Sequence, residues 1–578
     1  MHYEPDLLGP GLHGLLDNPS FYNSPRGKTD PRAELEATLA AFFSDHDKQC
    51  AFIARRSWLD EELRFDRRRL PLAPCPRFEE WHAALNAERL TLVFASAHIN
   101  NPSSMYGHTL LRIDAHGQDE RTRLLAYAVN SAATTAETNG LTFAIQGLIG
   151  GYPGTFSLLP YYIKVREYSD LENRDLWEYQ LDLEPHEIER VLRHLWELLP
   201  AYYQYFFFDE NCSYYLNGLL QVARPELELT RPFRWWALPS DTVRVVAQQP
   251  GLVARTVYRP ANATLIGARL DTMSKDERSI AKDLSLGRGG GDAARALPPA
   301  RQAAVLEMAH DYVNYRRAIG ERDVADSAAL ARELLVARSA VDAPSQAPRI
   351  DPPARPEEGH GTSRAWLGAG SRDGSAFQEL GFRATYHDVL DTDAGYVKGA
   401  QIQFFDTAFR HYQDGSTRIE RFIPVDILSL APRDDFFQPR SWRVAGGWQR
   451  TFVQNGSEPL VAGLDGGAGF TRSFYRDKVY LYGLAEGALH LHHELEGGYS
   501  VGAGARVGAL IDPAPRWRVN AFASGLRQFL GEKDTPASLG VQNRVALGRD
   551  TALRIDFART REAERRFNAG SVSLQVYF

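Results

Sequence analysis

The sequence predicts a multidomain protein in which an α+β domain with helical additions precedes an antiparallel transmembrane β-barrel of about twelve strands. Its 578 residues exceed what one hydrophobic core supports, so several domains are expected. The sequence contains no run of about eighteen apolar residues, which excludes a membrane-spanning helix. After a proline-rich segment, the pattern of apolar residues changes to a regular alternation that is typical of barrel strands.

The predicted domains follow from changes in hydrophobic periodicity along the chain. Apolar residues recur three and four positions apart in the first segment, strand-like runs dominate the second, and helical patterns with glycine breaks fill the third. The proline-rich segment has polyproline character and is interpreted as a linker. In chain order, the predictions are a helical segment (1–89), an α+β domain (90–230), a helical region (231–340), a linker (341–362) and the barrel (363–578).

The barrel prediction rests on twelve segments in which apolar and polar side chains alternate between clusters of turn residues. Tilted strands of about nine to eleven residues span a bilayer, with apolar side chains outward and polar side chains inward. A soluble β-sandwich also alternates, but the terminal Phe578 and its alternating apolar partners resemble the sorting signal of bacterial outer-membrane barrels. The first three segments are 363–370, 376–387 and 395–408, and the last is 567–578.

An outer-membrane location would set the compartment of the rest of the chain. Because an even-stranded barrel has both its ends on the periplasmic side, residues 1–340 are expected in the periplasm. The N-terminus lacks a secretory signal, so the protein is either cytosolic or its signal has been removed, and the barrel favours the second alternative. A net charge of −7 argues against nucleic acid as a partner. Outer-membrane lipid is the expected surrounding, and the chain is expected to be a monomer.

Three cysteines stand in the chain, at positions 50, 75 and 212. In an oxidising periplasm, Cys50 and Cys75 can form one disulfide and leave Cys212 as a free thiol. A free thiol in that compartment requires an explanation, and a buried inert cysteine is the alternative to a reactive one.

Two segments carry the chemistry predicted for the α+β domain. His108 stands at the start of a strand, after a small polar loop, and Cys212 is expected in the first turn of a helix. A helix N-terminus lowers the pKa of a thiol, and a neighbouring histidine completes its activation. The N–H groups of the same helix turn can stabilise an oxyanion. The pair therefore predicts a thiol nucleophile with a general base.

A third catalytic residue is predicted from strand register. A hairpin that turns near residue 119 brings His108 opposite Asn130, whose amide could orient the imidazole as in Cys-His-Asn enzymes. His98, Asp209 and Glu210 are the alternatives. The remaining candidates for supporting or substrate-binding roles are Asn101, Ser104, Asn211, Lys164 and Arg174, together with His98 and Glu210.

Several of these candidates also have plainer interpretations. Lys164 and Arg174 could hold a lipid phosphate or a carboxylate, or they could be paired surface charges. The aromatic run from Tyr202 to Phe208 is interpreted as core packing or as an acyl-chain groove at the membrane surface. We find no metal motif and expect no cofactor. The one histidine cluster, at 490–493, is interpreted as a solvated loop.

Five blocks of sequence in the first half of the chain carry a family resemblance. They are Asn101–His108, Gly150–Gly154, Tyr161–Tyr168, Glu172–Tyr179 and Asp209–Tyr214. In this order they resemble the periplasmic domain of the Lnb-type lipoprotein N-acyltransferase family. The order of histidine and cysteine is also similar to permuted papain-like enzymes, such as NlpC-type peptidases and the lecithin:retinol acyltransferase group. The resemblance implies that fold, a nucleophile at Cys212 and a base at His108.

Three functions remain open from the sequence. In the first, Cys212 takes an acyl chain from a phospholipid as a thioester and passes it to an amine or hydroxyl acceptor, such as a lipoprotein. In the second, a thiol hydrolase of the same fold cuts an amide, peptide or lipid ester. In the third, the barrel is a channel or assembly factor with a degenerate periplasmic domain. Lnb-type enzymes are anchored by transmembrane helices, so the predicted barrel leaves the substrate undecided.

Overall fold

The structure is a computed structural model, and it divides the chain into two compact units that are described separately here. They are Met1–Pro352 and Pro353–Phe578, so the division falls inside the predicted linker. No helix in the described part of the chain is long and apolar enough to cross a membrane. The described residues are 3–5, 9–99, 105–135, 137, 139–224, 226–321, 323–345 and 347–578.

The first unit combines a small β-hairpin, a larger sheet and many helices. Its strands are β1 (Tyr3–Pro5), β2 (Leu12–Gly14), β3 (Ala87–Ala95), β4 (His108–Ala115), β5 (Tyr127–Ala133), β6 (Tyr152–Pro160), β7 (Leu176–Leu181), β8 (Tyr202–Tyr205) and β9 (Val253–Arg259). Its helices are α1 (Pro31–Ser44), α2 (His46–Ala51), α3 (Ile53–Leu63), α4 (Pro76–Leu85), α5 (Gly140–Leu148), α6 (Tyr161–Val165), α7 (Pro185–Leu198), α8 (Cys212–Gln221), α9 (Pro239–Gln248), α10 (Asn262–Asp271), α11 (Lys275–Leu286), α12 (Gly291–Arg295), α13 (Pro299–Ala318) and α14 (Val324–Ser339).

The larger sheet is antiparallel and has the strand order β8-β6-β5-β4-β3-β7-β9. Successive side chains of its central strands point to opposite faces, and both faces are covered by apolar clusters. On one face, Leu92 of β3 and Leu111 of β4 belong to the same cluster as residues of α7 and α8. On the other face, Val93 and Leu110 pack with Tyr161. The central strands therefore form a rigid layer that holds the residues at their ends.

One prediction for this unit needs correction. The region 231–340 is not wholly helical, because it contains β9, an edge strand that pairs with β7. Its side chains are only partly buried, which explains why its pattern does not stand out in the sequence.

The predicted disulfide is confirmed. Cys50 and Cys75 are bonded, with their Cα atoms 5.3 Å apart, and they join α2 to the start of α4. The indole Nε1 of Trp196 on α7 donates to the carbonyl of Cys50 at 2.9 Å. The bond is therefore anchored to a central helix of the unit. Cys212 is free and buried.

The second unit is a closed antiparallel barrel of twelve strands, as predicted. β10 pairs with β22 on one side and β11 on the other, and β11 pairs with β13, which closes the ring. β12 is a short continuation beside β13. The strands are β10 (Arg364–Arg372), β11 (Ser375–Arg383), β12 (Thr385–His387), β13 (Ala400–Tyr412), β14 (Thr417–Ser429), β15 (Ser441–Arg450), β16 (Leu460–Phe474), β17 (Val479–Leu491), β18 (Tyr499–Ala514), β19 (Trp517–Gly531), β20 (Ala537–Ala546), β21 (Thr551–Glu562) and β22 (Arg565–Tyr577).

Alternation along the strands separates the outer surface from the lumen. In β22, the apolar Val572, Leu574 and Val576 are 43 to 49% exposed, whereas Gln575 and Tyr577 are buried. This is the pattern that a lipid-facing wall requires. One predicted strand is wrong at its start: the segment predicted at 395–408 begins only at Ala400, because the chain before it leaves the wall.

Candidate active site

Cys212 is the first residue of α8, as predicted. Asn211 is its N-cap: the side-chain Oδ1 accepts hydrogen bonds from the backbone N–H groups of Ser213, at 3.1 Å, and Tyr214, at 3.3 Å. The Asn211 amide nitrogen donates to the carbonyl of Phe207 at 3.3 Å. These bonds fix where the helix begins, so the thiol lies in the first turn and is only 2% exposed.

His108 is the first residue of β4 and is 7% exposed. The preceding Gly107 has a φ of 99°, in the left-handed region, and a Cβ there would lie 2.4 Å from the ring of Phe94. Only glycine fits this turn into the strand. Helix α8 packs against β4, and the His108 side chain hydrogen-bonds to Cys212.

Asn130 lies on β5 and contacts His108 directly. The His108 Nε2 donates to Asn130 Oδ1 at 2.9 Å, which leaves Nδ1 to accept the thiol proton. The predicted register was wrong by two residues, since Asn130 pairs with Leu110 and not with His108. A shift of two keeps both side chains on the same face of the sheet, so the contact still forms.

The surroundings of the thiol favour its ionised form. Burial raises the pKa of Cys212, but the charge of His108 and hydrogen bonds from His108, the Thr109 backbone N–H and the Tyr205 hydroxyl outweigh burial. The net result is a pKa lowered to about 7. A thiol with this pKa is about half ionised at neutral pH, so a large fraction is the nucleophilic thiolate.

Tyr205 was not among the predicted site residues. Its hydroxyl lies 3.4 Å from the Cys212 backbone nitrogen as well as beside the thiol. Along β8, Tyr202 is 41% exposed while Tyr203 and Tyr205 are buried. That alternation was visible in the aromatic run and could have shown which tyrosines point inward. The run is thus partly core packing, because Phe207 is buried as well.

We expect His108→Gln to raise the pKa of Cys212 from about 7 to its ordinary value or above, because the partner that stabilises the thiolate is lost. At pH 7 the thiolate fraction would fall from about a half to about 1%, and alkylation by iodoacetamide would slow roughly 50-fold. The rate is measured by intact mass between pH 5 and 9. His82→Gln, which alters a histidine paired with Glu189, is the matched control. An unchanged midpoint in His108→Gln would contradict the assignment.

The other residues considered for the third catalytic position are Glu210, Asp209 and His98, and they lie in different environments. Glu210 accepts a hydrogen bond from the Tyr215 hydroxyl at 2.6 Å, and burial raises its pKa to about 7. Burial also raises the pKa of Asp209 to about 6. His98 is half-buried, and its pKa is lowered chiefly by that burial. Of these candidates, it is Asn130 that contacts the His108 ring.

The candidate substrate cations are already paired. Lys164 Nζ lies 2.7 Å from Glu167, and the Arg174 guanidinium lies 2.8 Å from Glu172. Arg174 also donates to the carbonyl of Ala95, at the end of β3, at 2.9 Å and to that of the following Ser96 at 2.6 Å. Arg174 therefore positions the loop after β3. Asn101 and Ser104, which were predicted to support the site, lie outside the described residues.

Among the described residues, two groups of histidine and carboxylate side chains are close enough to consider for a metal. In the buried group, Asp391 already accepts from Tyr577, Arg383 and the backbone of Asp388, so its oxygens are not free for a cation. The other group is on a loop between barrel strands. We assign no metal to either. The groups are His360, His387 and Asp391, and His492, His493 and Glu494.

Parts of the chain match known family models. Residues 77–249 match the family model of the Lnb N-terminal periplasmic domain. This is the resemblance that the sequence predicted, and residues 77–249 are called the Lnb region below. Three further models, each described as a domain of unknown function, match residues 1–62 (DUF7843), 256–350 (DUF7842) and 353–577 (DUF7840). No curated protein matches the chain.

Solved structures similar to the chain include two porins and an outer-membrane channel. The NanC porin is 9% identical, with a TM-score of 0.26, and the match covers 37% of this chain and all of that one. The KdgM porin is 6% identical with a TM-score of 0.24, covering 37% and 99%. The channel DcaP of Acinetobacter baumannii is 8% identical with a TM-score of 0.19, covering 38% and 96%.

The Lnb region and the barrel together determine the location of the protein. The matched family is a periplasmic domain, and a closed twelve-stranded barrel with an apolar outer surface belongs in the outer membrane. The chain is therefore an outer-membrane protein whose N-terminal region lies in the periplasm, as predicted.

Proposed function

We propose that the protein is an outer-membrane-anchored periplasmic cysteine acyltransferase. Cys212 would take an acyl chain from a phospholipid and pass it to an amine or hydroxyl acceptor such as a lipoprotein. The observation that carries the proposal is the contact chain Cys212–His108–Asn130 in a buried site. A thiol at a helix N-terminus facing a strand histidine is also the arrangement of permuted papain-like enzymes, which the sequence resembles.

The proposed chemistry uses the His108 ring nitrogen that does not contact Asn130. Nδ1 takes the thiol proton, and the Cys212 thiolate attacks the ester carbonyl of the phospholipid to give a tetrahedral oxyanion. Collapse breaks the ester bond, and the protonated His108 returns its proton to the leaving alkoxide, which departs as lysophospholipid. An incoming amine then loses a proton to His108 and attacks the thioester, which restores the thiol. Asn130 keeps the ring in the tautomer that both steps need.

Burial of the site supports transfer over hydrolysis. Cys212 is 2% and His108 7% exposed, and the buried ring of Tyr168 lies 5.7 Å from the His108 ring. A site that excludes bulk water protects a thioester until an acceptor arrives. The intact contacts also count against a degenerate, non-enzymatic domain.

An exposed apolar surface close to the thiol supports an acyl substrate. On and just after α5, Ile145, Leu148 and Ile149 are 42 to 65% exposed. The helix packs on the segment before Cys212, because the Phe207 backbone N–H donates to the carbonyl of Gly147 at 2.8 Å. A group of solvent-exposed apolar side chains beside the segment that leads to Cys212 is typical of a surface that binds apolar groups.

The decisive experiment is intact-mass measurement of the full chain in phospholipid nanodiscs. We expect a mass increase equal to one acyl chain, removed by hydroxylamine and absent in Cys212→Ala. Adding an amine acceptor should discharge the adduct as an acylated amine. If the adduct is released only as free fatty acid, the hydrolase is favoured. If no adduct forms while Cys212 still reacts with iodoacetamide, a phospholipid is not the acyl donor.

The exposed apolar surface can be tested separately. Ile149→Asp should slow adduct formation at least about tenfold, because a charge disfavours an apolar partner, while leaving iodoacetamide alkylation unchanged. Val324→Asp, at an exposed apolar position of α14 that is 66% exposed, is the matched control. Equal slowing in both variants would remove this surface from the proposal.

A further inference from the structure

The segment between β11 and β13 leaves the barrel wall. Wall strands alternate between exposed and buried side chains, as most of β11 does. From Arg383 to Asp391, however, all nine residues are buried. We call residues 388–399 the plug segment, because the contacts described next place it inside the lumen.

Two aspartates tie the plug segment to inward-facing side chains of the wall. The Asp388 carboxylate lies 3.0 Å from Arg364 on β10 and 2.8 Å from Arg554 on β21. Asp391 is 3.2 Å from Arg544 on β20. It also contacts Arg383 at 3.2 Å and the hydroxyl of Tyr577, which donates to it at 2.5 Å.

Backbone atoms of the plug segment are held as well. The Arg518 guanidinium, on β19, donates to the carbonyls of Val389 at 3.2 Å and Asp391 at 2.7 Å. It also pairs with Asp393. Lys398, near the end of the segment, forms an ion pair with Asp512 on β18. A guanidinium that holds both backbone and carboxylate fixes the path of the chain.

Two apolar residues lie near the start of the plug segment. Val389 and Leu390 form a buried cluster with Leu428, Leu430, Tyr480, Tyr482, Leu484 and Leu510. These partners come from β14 or the residue after it, from β17 and from β18, which are not the strands that carry the arginines. Because a short segment touches strands from both sides of the ring, it lies across the bore.

The other end of the barrel is also occupied. The loop after β15 turns inward: Val453 is 1% exposed, and the backbone N–H of Phe452 donates to Glu562 at 3.1 Å. Beside it, Arg372 lies between Glu420 and Glu458, at 2.8 and 2.5 Å. Inside the barrel lies a cavity of about 390 Å³ lined by charged side chains, among them Arg364 and Asp388. A second cavity, of about 640 Å³, borders the plug segment at Asp391 and Asp393.

We propose that the barrel does not conduct solutes, and that the plug segment keeps it shut at its periplasmic end. The barrel then serves as a membrane anchor. The inference goes beyond the proposed enzymatic function and does not depend on it. Removing one partner from a buried ion pair leaves an uncompensated charge, so the plug segment should be displaced when its aspartates are neutralised.

The test is single-channel recording of the full chain in planar lipid bilayers. Wild type should insert without stable conductance steps. The double variant Asp388→Asn/Asp391→Asn, and a variant in which Val389–Val397 is replaced by Asn-Gly, should give steps in most insertions. Asp414→Asn, which removes an exposed ion pair with Arg418 outside the lumen, is the matched control and should stay silent. Stable open steps in wild type would overturn the proposal.

A second measurement covers the case in which those variants fail to fold. In a Cys212→Ser background, Leu390→Cys should resist a membrane-impermeant methanethiosulfonate reagent applied to the folded protein, because Leu390 is 1% exposed. A cysteine at the exposed Val397 should react at least about 100-fold faster. Equal rates at the two positions would show that the plug segment is open to solvent and would overturn the proposal.

Discussion

Cys212→Ala should lower acyl transfer from phospholipid by at least about 10⁴-fold, because the covalent step has no other nucleophile. The loss is measured as release of lysophospholipid by the full chain in nanodiscs. The fold should be retained, since the side chain is small and α8 is capped by Asn211. Far-ultraviolet circular dichroism that matches wild type is the control for that.

The double variant Cys212→Ala/His108→Ala distinguishes a catalytic pair from two independent contributors. Residues that act as one unit give non-additive losses, so the double variant should be no slower than Cys212→Ala alone. A further large loss in the double variant would mean that His108 acts on substrate without the thiol. Substantial turnover in Cys212→Ala would contradict the covalent mechanism.

Glu178→Ala should destabilise the first unit by about 3–5 kcal/mol, the cost of leaving buried cations unpaired. Glu178 is fully buried on β7 and lies within 3.3 Å of Arg112, Arg123 and Arg259. It also accepts from the Tyr161 hydroxyl at 2.9 Å. Urea unfolding followed by tryptophan fluorescence measures the change. Glu228→Ala, which breaks an exposed pair with Arg231, should cost less than about 1 kcal/mol.

The lowered pKa of Glu178 also makes the stability of the first unit depend on pH. Burial raises the pKa of Glu178, but Arg112, Arg123 and Arg259 outweigh it and hold that pKa below its ordinary value. A group with a lowered pKa stabilises the folded state above its unfolded pKa of about 4.3 and loses this contribution as the pH falls through the folded value. Wild type should therefore lose stability below about pH 4, and Glu178→Ala should show a shallower slope there.

The features that local sequence specifies were predicted well. Asn211 followed by Cys212 places the nucleophile because an N-cap acts within three residues, and the twelve strands are visible because alternation is a local pattern. The contact between His108 and Asn130 was predicted correctly although the predicted register was wrong, because a two-residue shift keeps a side chain on the same face of the strand. Which residues act in catalysis stays a prediction.

The features that depend on distant parts of the chain were not predicted. β9 joins the sheet only through β7, and Tyr205 reaches the thiol only through the order of strands. The plug segment has a polar, glycine-containing sequence that is compatible with the start of a strand. Its partners, such as Arg518 and Arg554, are more than a hundred residues away. The periodicity of the sequence gives no information about contacts between residues so far apart in the chain.

The position of the disulfide has a consequence for the order of oxidation. Cys50 and Cys75 are close in sequence and far upstream of Cys212, so a chain that is exported from its N-terminal side presents this pair to the periplasmic oxidant first. By the time Cys212 emerges, no unpaired cysteine remains in the chain for it to bond with. The order of the three cysteines in the chain thus lowers the chance that Cys212 forms a disulfide with Cys50 or Cys75 during oxidative folding.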